Sequence, residues 1–376
     1  MDRRAFLGSS VAALSFLSFP LRAQAQESAA RRQIVIGQTV DLSGSMQNLG
    51  RDYFTGAKLA FDQANAGDGL GGRHIRFIQL DDGGDPARAV ANAKRLIEDE
   101  RADVLFGLSS ESCVEAVVNS PSFKNSDIEI FAPITGIDHP AAKGRAVYLR
   151  PSSADEMVAI LDRFIKMSLS RLALVNTASA SMVAVRDAAL AGIKERYTEV
   201  PRAYALKEGG SNAAAVVSAI EKDRVQAVVI MADAFSAAEI TKLLRTRLPG
   251  LFICLGSAVD VQMVQQLIGP ALAHGLMVSR VVPDPVNGVV PIVTNFKRTM
   301  AKYMDEAPTS AGLEGFIAGQ TLLTVLRKAE NPRHLVSVAQ KRVGMLDVGG
   351  WKVNLANNRA VEKIEMAMIS REGKLL

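Results

Sequence analysis

The sequence predicts an α/β fold made of two doubly wound units, and three observations carry that prediction. Short β-rich runs alternate with segments whose apolar residues recur at helical spacing, the pattern of parallel sheets covered by helices on both faces. The alternation restarts after Arg150-Pro151. The chain has 376 residues, more than the roughly 250–300 that one hydrophobic core supports, so two lobes are expected. With 48% hydrophobic and 22% charged residues the composition is that of a globular protein, which excludes disordered, collagen-like and disulfide-scaffold classes.

Residues 1–25 read as an export signal. Arg3 and Arg4 precede the apolar run from Val11 to Phe19, and Ala23-Gln24-Ala25 offers the small-x-small cleavage pattern. The paired arginines followed by Ala5-Phe6-Leu7 resemble the twin-arginine signal, although Asp2 stands where that signal more often has Ser. The run is too short to span a bilayer and no later run is longer, so the mature chain is expected to be soluble and not membrane-spanning, and to reside in the periplasm. The formal charge of +5 falls to +3 without this segment, 41 basic against 38 acidic residues. Lys and Arg are spread evenly without interleaved aromatics, so no nucleic-acid partner is indicated.

In the first unit, Ile34-Val35-Ile36-Gly37-Gln38 reads as a strand, and Phe54, Ala57, Phe61 and Ala64 mark a helix. Strands at 75–80, 104–107 and 130–133 follow, with a helix through Val90, Ala93 and Ile97. In the second unit, Ser153-Ala154-Asp155-Glu156 reads as a capping box opening a helix that carries Met157, Ile160, Leu161 and Phe164. Strands are expected at 172–175, 227–231, 252–255 and 275–278, with helices through Val185, Ala189 and Ile193 and through Ile240, Leu243 and Leu244. The stretch 283–288, rich in Pro and Gly, reads as a connection; helices at 290–305 and 313–329 and a strand-rich tail at 351–376 complete the chain. Ligands of open α/β sheets bind outside the carboxyl ends of the strands, which singles out the loops 41–50, 107–112, 133–138 and 255–260.

Reactive motifs are scarce. Gly67-Asp68-Gly69-Leu70-Gly71-Gly72 satisfies G-x-G-x-x-G, yet it follows a helix and precedes a strand, the inverse of the dinucleotide motif, so it reads as a helix end and turn. Asp81, Asp82 and Asp85 lack the spacing of a calcium loop, and Asp85-Pro86 reads as a helix cap. His74, His139, His274 and His334 form no metal-ligand pair, and there is no nucleophile elbow or phosphate loop. No cofactor, metal or catalytic residue is therefore assigned, and binding is favoured over catalysis. Cys113 and Cys254 fall in different units and read as small buried apolar residues rather than a bridge.

Taken in order, several motifs resemble a known family. They are Leu42-Ser43-Gly44 with Gly50, Gly56-Ala57, Gly71-Gly72-Arg73, Asp81-Asp82 with Asp85-Pro86, Pro133-Ile134-Thr135-Gly136, Arg150-Pro151-Ser152 with Asp155-Glu156, and Leu313-Glu314-Gly315-Phe316. From about Ile34 to the C-terminus the chain resembles the periplasmic substrate-binding proteins of ABC transporters, type I, leucine/isoleucine/valine-binding branch. The resemblance implies two Rossmann-like lobes joined by a three-crossover hinge, with residues 31–150 and 281–345 in lobe one and 151–280 and 346–376 in lobe two. It also implies a monomer that closes on a small-molecule ligand and is recognised by an inner-membrane ABC permease.

The hydroxyls and free N–H groups of Ser109, Ser110 and Ser112 converge at the end of one strand, and Thr135 and Gly136 stand after the next. In the family these two loops hold the ligand's carboxylate end, and the stretch from Ser43 to Gly50 forms a wall. Three departures follow. The lobe-two position where amino-acid-binding members often carry Glu is Ser257 or a neighbour; the aromatic before the glycine matched by Gly50 is Leu49; and the loop after Val175 reads Ser179-Ala180-Ser181-Met182 in place of Tyr-Gly or Phe-Gly. An ammonium buried without an acceptor is costly, so a free branched-chain amino acid is not the expected best ligand. A carboxylate, amide or other small polar metabolite fits as well, with Ser181, Asp233, Phe235 and Asp260 as lobe-two candidates. Two alternatives stay open: a sensory binding protein serving a receptor or kinase, and an exported hydrolase, for which only His139 lies near a mouth loop.

Overall fold

The structure is a computed structural model, and it describes residues 33–376 apart from 304, 358 and 362. The export signal read in residues 1–25 lies outside the described residues.

Two parallel sheets organise the chain. The first is formed by β1 (Gln33–Val40), β2 (His74–Asp81), β3 (Val104–Phe106), β4 (Glu129–Phe131) and β5 (Ala146–Val147), in the order β2-β1-β3-β4-β5. Helices α1 (Gln47–Asn65), α2 (Pro86–Glu98) and α3 (Glu111–Asn119) connect its strands. The chain then passes to α4 (Ser153–Lys166), β6 (Leu172–Thr177), α5 (Ala180–Lys194), β7 (Arg202–Leu206), α6 (Ala213–Lys222), β8 (Ala227–Met231), α7 (Ala234–Arg247), β9 (Phe252–Leu255), α8 (Val261–Ile268) and β10 (Met277–Arg280). Helices α9 (Pro291–Met300) and α10 (Ser310–Lys328) return to the first lobe, followed by the hairpin β11 (Met345–Val348) and β12 (Trp351–Asn354) and by β13 (Glu365–Met368). The second sheet runs β13-β10-β9-β8-β6-β7, and β13 joins β10 antiparallel with Met277 opposite Met368.

Each sheet is covered on both faces, as continuous apolar strands demand. In the first lobe Phe61, Phe106, Phe296 and Phe316 pack under α1, α9 and α10 on one face, while Leu96, Val117 and Phe123 pack on the other. In the second lobe Val217, Ile240 and Val264 fill one side and Ile160, Phe164 and Ile193 the other. Helices α1 and α10 cross so closely that a Cβ on Gly56 would lie 1.8 Å from the Gly312 carbonyl oxygen and one on Gly315 would lie 2.0 Å from that of Tyr53. Only glycine fits there.

Several sequence readings shift. The helix expected from 290 to 305 stops at Met300, and the strand placed at 275–278 is Met277–Arg280. The cap of α4 is Ser152, whose hydroxyl accepts from the Asp155 N–H at 3.0 Å, so the box starts one residue earlier than Ser153. The tail, read as belonging to lobe two from residue 346, divides: Val348, Trp351, Val353, Leu355, Ala360 and Val361 join the first lobe's core, and β13 joins the second sheet. The Gly67–Gly72 segment is a turn between α1 and β2, and Asp85 caps α2 by accepting from the Arg88 N–H, with Pro86 in its first turn. Cys113 and Cys254 are free and buried in separate lobes. No helix among the described residues is long and apolar enough to cross a membrane.

Candidate functional site

In each lobe the strand order reverses direction once, between β1 and β3 in the first and between β6 and β8 in the second. A doubly wound sheet opens its crevice at that point, beyond the carboxyl ends of the strands. The loops there carry most of the residues singled out from sequence.

In the first lobe, Asp41 follows β1, fully buried, and accepts from the N–H groups of Ser43, Gly44 and Met46, so its carboxylate shapes the loop into α1. Ser43 is exposed and donates its hydroxyl to Asp81 at 2.8 Å. The hydroxyl of Ser109 accepts the Asp41 N–H at 2.7 Å, which ties the β1 and β3 loops together. Ser110 caps α3 by accepting from the Cys113 N–H and lies 3.2 Å from the Ser112 hydroxyl. Its φ of 61° and ψ of 139° fall where non-glycine residues are rare, at a cost on the order of 1–3 kcal/mol. Ala132, just after β4, also has a positive φ of 51°. Strain at two adjacent strand ends is typical of a site whose surroundings hold it in place.

Thr135 is fully buried and its hydroxyl donates to the Glu111 carboxylate at 2.6 Å. Gly136 abuts the second lobe, since a Cβ there would meet the Ser153 hydroxyl at 2.2 Å and its carbonyl accepts the Ser153 N–H at 2.8 Å. Glu111 was not singled out from sequence. Its place in the first turn of a helix, next to a candidate serine, is the signal that could have found it.

The second lobe's candidates separate into two groups. Ser181 sits in the first turn of α5, 3.4 Å from the Ser179 hydroxyl; Asp233 caps α7 by accepting from the Ser236 N–H; Phe235 is 47% exposed. These three flank the β6–β8 crevice. Ser257, Asp260 and, from the first lobe, Leu49 instead line a cavity of about 640 Å³ with Asp52, Arg280 and Thr309. Burial lifts the Asp52 carboxyl above its ordinary range despite hydrogen bonds from Thr309 and Gln262.

Asp260 links the lobes. One carboxylate oxygen accepts the Met263 N–H at 2.9 Å and so caps α8; the other accepts the N–H groups of Asn48 and Leu49, at 2.9 and 3.1 Å, at the start of α1 in the opposite lobe. Gln262 adds a bond to Asp52 at 3.1 Å. A second link runs through the hinge. Arg150 and Glu314 form a buried bidentate pair at 2.6 and 2.8 Å, and Arg150 reaches the Ser257 hydroxyl at 3.4 Å. Burial works against the Arg150 charge, but the Glu314 carboxylate outweighs it and holds the guanidinium above its usual range. Glu156, freed from capping by Ser152, accepts from the Ser257 N–H at 2.6 Å, from its hydroxyl at 3.0 Å and from the Ser279 hydroxyl. Arg359, in the third crossover, donates to the carbonyls of Thr135, Arg150 and Pro151 and pairs with Asp138 at 3.0 Å.

The family model described as "Periplasmic binding protein" matches residues 33–374. The Leu/Ile/Val-binding protein of Escherichia coli (strain K12) is 25% identical over 190 residues, 50% of this chain and 51% of that protein. Alignments to such curated relatives span between a fifth and about half of their length. Among solved structures, an extracellular ligand-binding receptor from Verminephrobacter eiseniae superposes with a TM-score of 0.80 at 18% identity, covering 92% of this chain and 99% of the other. A solute-binding protein of an ABC transporter from R. palustris, in complex with 4-hydroxybenzoate, gives 0.76 at 13% identity, covering 91% and 95%. At these identities the superpositions speak for the fold.

Proposed function

The chain belongs to the periplasmic binding protein family, and from that premise we propose that it is an exported solute-binding protein that closes on a small polar metabolite and delivers it to an ABC permease. An amino acid, an amide or a carboxylate is the class of cargo. Relatives carry names for Leu/Ile/Val binding, and a structural neighbour holds 4-hydroxybenzoate. The observation that carries the reading is the Asp260 bridge: a carboxylate of one lobe accepts from the first-turn N–H groups of a helix in the other. Such contacts make and break as a hinge works, and a ligand that adds to them shifts the population toward the closed form. This role asks for no nucleophile and no bound metal. The binding surface is the pair of crevices, with Ser110, Ser112 and Glu111 on one side and Ser181, Asp233 and Phe235 on the other.

A thermal-shift screen of residues 26–376 against amino acids, amides and carboxylates tests the proposal. A ligand at one hundred times its dissociation constant adds roughly 2.7 kcal/mol of stability and raises the melting temperature. If no small molecule moves the melting point while a chromogenic ester is turned over, the reading fails.

A further inference from the structure

At the strand ends of the first lobe, the candidate loops after β3 and β4 meet at a carboxylate, Glu111. Glu111 opens α3, where the helix dipole favours negative charge. Thr135, one of the ligand contacts expected from sequence, already gives its hydroxyl to both Glu111 oxygens at 2.6 Å. His139, buried, stands on the same carboxylate with its Nε2 3.7 Å from Glu111 Oε2 and has no hydrogen-bond partner for that nitrogen among the described residues. The Glu111 side chain nonetheless keeps 27% of its surface exposed, so a ligand can reach it. The Ser110 and Ser112 hydroxyls donate or accept and discriminate neither ligand class. Arg359, whose Nη1 donates to the Thr135 carbonyl at 3.4 Å, is engaged by Asp138 and by the carbonyls of Arg150 and Pro151.

We infer that Glu111 sets the ligand class: the first lobe takes a hydrogen-bond-donating group, an amide, ammonium or amidinium, and refuses a carboxylate. The inference rests on the solute-binding reading above and narrows it. A ligand carboxylate brought to Ser110 and Thr135 would meet Glu111 as a like charge and would have to break its bonds to Thr135. A donor group meets an acceptor already held in place from one side by Thr135.

Matched pairs test it: benzamidine against benzoate, acetamide against acetate, and an amino-acid amide against the free amino acid, each measured by thermal shift and titration calorimetry. The donor member of each pair is expected to raise the melting temperature more. Glu111→Gln is expected to lose on the order of tenfold or more in affinity for the cationic member, the scale of one charge-assisted hydrogen bond, and to narrow the gap to the carboxylate. Tighter binding of the carboxylates by the unmodified protein overturns the inference and leaves the solute-binding reading standing. So does an unchanged preference in Glu111→Gln. Should that variant fail to fold, the matched pairs on the unmodified protein still decide. If no compound of either class, here or in the wider screen, shifts the melting point, both readings fall.

Discussion

Replacing Asp260 by Ser separates its two jobs. As the cap of α8, Asp260 accepts the Met263 N–H, and Ser is an equally good cap, so the second lobe should keep its stability to within about 0.5 kcal/mol. The shorter hydroxyl cannot also span to the N–H groups of Asn48 and Leu49, which Asp260 now holds at 2.9 and 3.1 Å. Hydrogen bonds to a charged acceptor contribute about 1.5–3 kcal/mol each. When the lobes part, water replaces the carboxylate at both amides, so the net loss for the pair is nearer 2 kcal/mol, a roughly 30-fold shift of the closed-to-open ratio. Small-angle scattering of the ligand-free variant should show a larger radius of gyration, and titration of the ligand found by screening should show weaker binding. The scattering measurement matters because loss of a direct ligand contact would also weaken binding but would leave the ligand-free shape alone. An unchanged radius with affinity within twofold of the original would refute the latch.

Other expectations follow from individual environments. Burial, opposed by bonds from Gly84 and Thr39 and aided by Asp41 and Asp81, pushes the Asp82 carboxyl up to about 6 from 3.8. The folded state then binds more protons than the unfolded one between those values, so this group's contribution falls as pH rises from 4 to 6, by at most about 3 kcal/mol; urea denaturation across that range should show a flatter pH profile for Asp82→Asn. Gly56→Ala puts a methyl against the Gly312 carbonyl and should destabilise by several kcal/mol, beyond the ~1–3 of ordinary overpacking. Gly192→Ala, in α5, where the nearest atom is 3.5 Å away, should be neutral or stabilising by roughly 0.5–1 kcal/mol in a melting comparison. Burial raises the Cys113 thiol to about 12 and lifts Cys254 well above its ordinary value, so a thiol reagent should leave the native protein unlabelled and count both cysteines only in denaturant.

The fold was legible where strands are apolar throughout and flanked by turn residues. The strands at 227–231 and 252–255 match β8 and β9 residue for residue. β5 has two residues and leaves no period to read, and β7, with Arg202 and Ala203 exposed at the sheet's edge, carries too little apolar signal. The tail's hairpin falls in the first lobe, against expectation, because local pattern does not say which sheet receives a strand: Trp351 and Val353 alternate inward as any half-buried strand does, and only the crossover decides that their face meets the first lobe. The candidate loops were legible as loops, since strand-end placement follows from topology. Its working contacts were not. Asp260 and Asn48 are 212 positions apart, and Glu156 and Ser257 are 101 apart, so nothing in either neighbourhood announces the partner.

Those long-range contacts also change how the cleft's polarity should be read. From sequence, lobe two lacks a carboxylate at Ser257 to grip an ammonium. Folding brings Glu156 to that serine. Yet a carboxylate has about four acceptor positions, and Glu156 fills three of them with the Ser257 N–H, the Ser257 hydroxyl and the Ser279 hydroxyl while 3% exposed. It therefore acts as a strut that holds the β9 loop and Ser257 against Arg150 and the hinge. Glu111, by contrast, accepts from a single hydroxyl among the described residues, that of Thr135, and keeps part of its surface open. Of the two glutamates, the one in the first lobe retains acceptor capacity, and the preference for a donor group proposed above turns on that contrast.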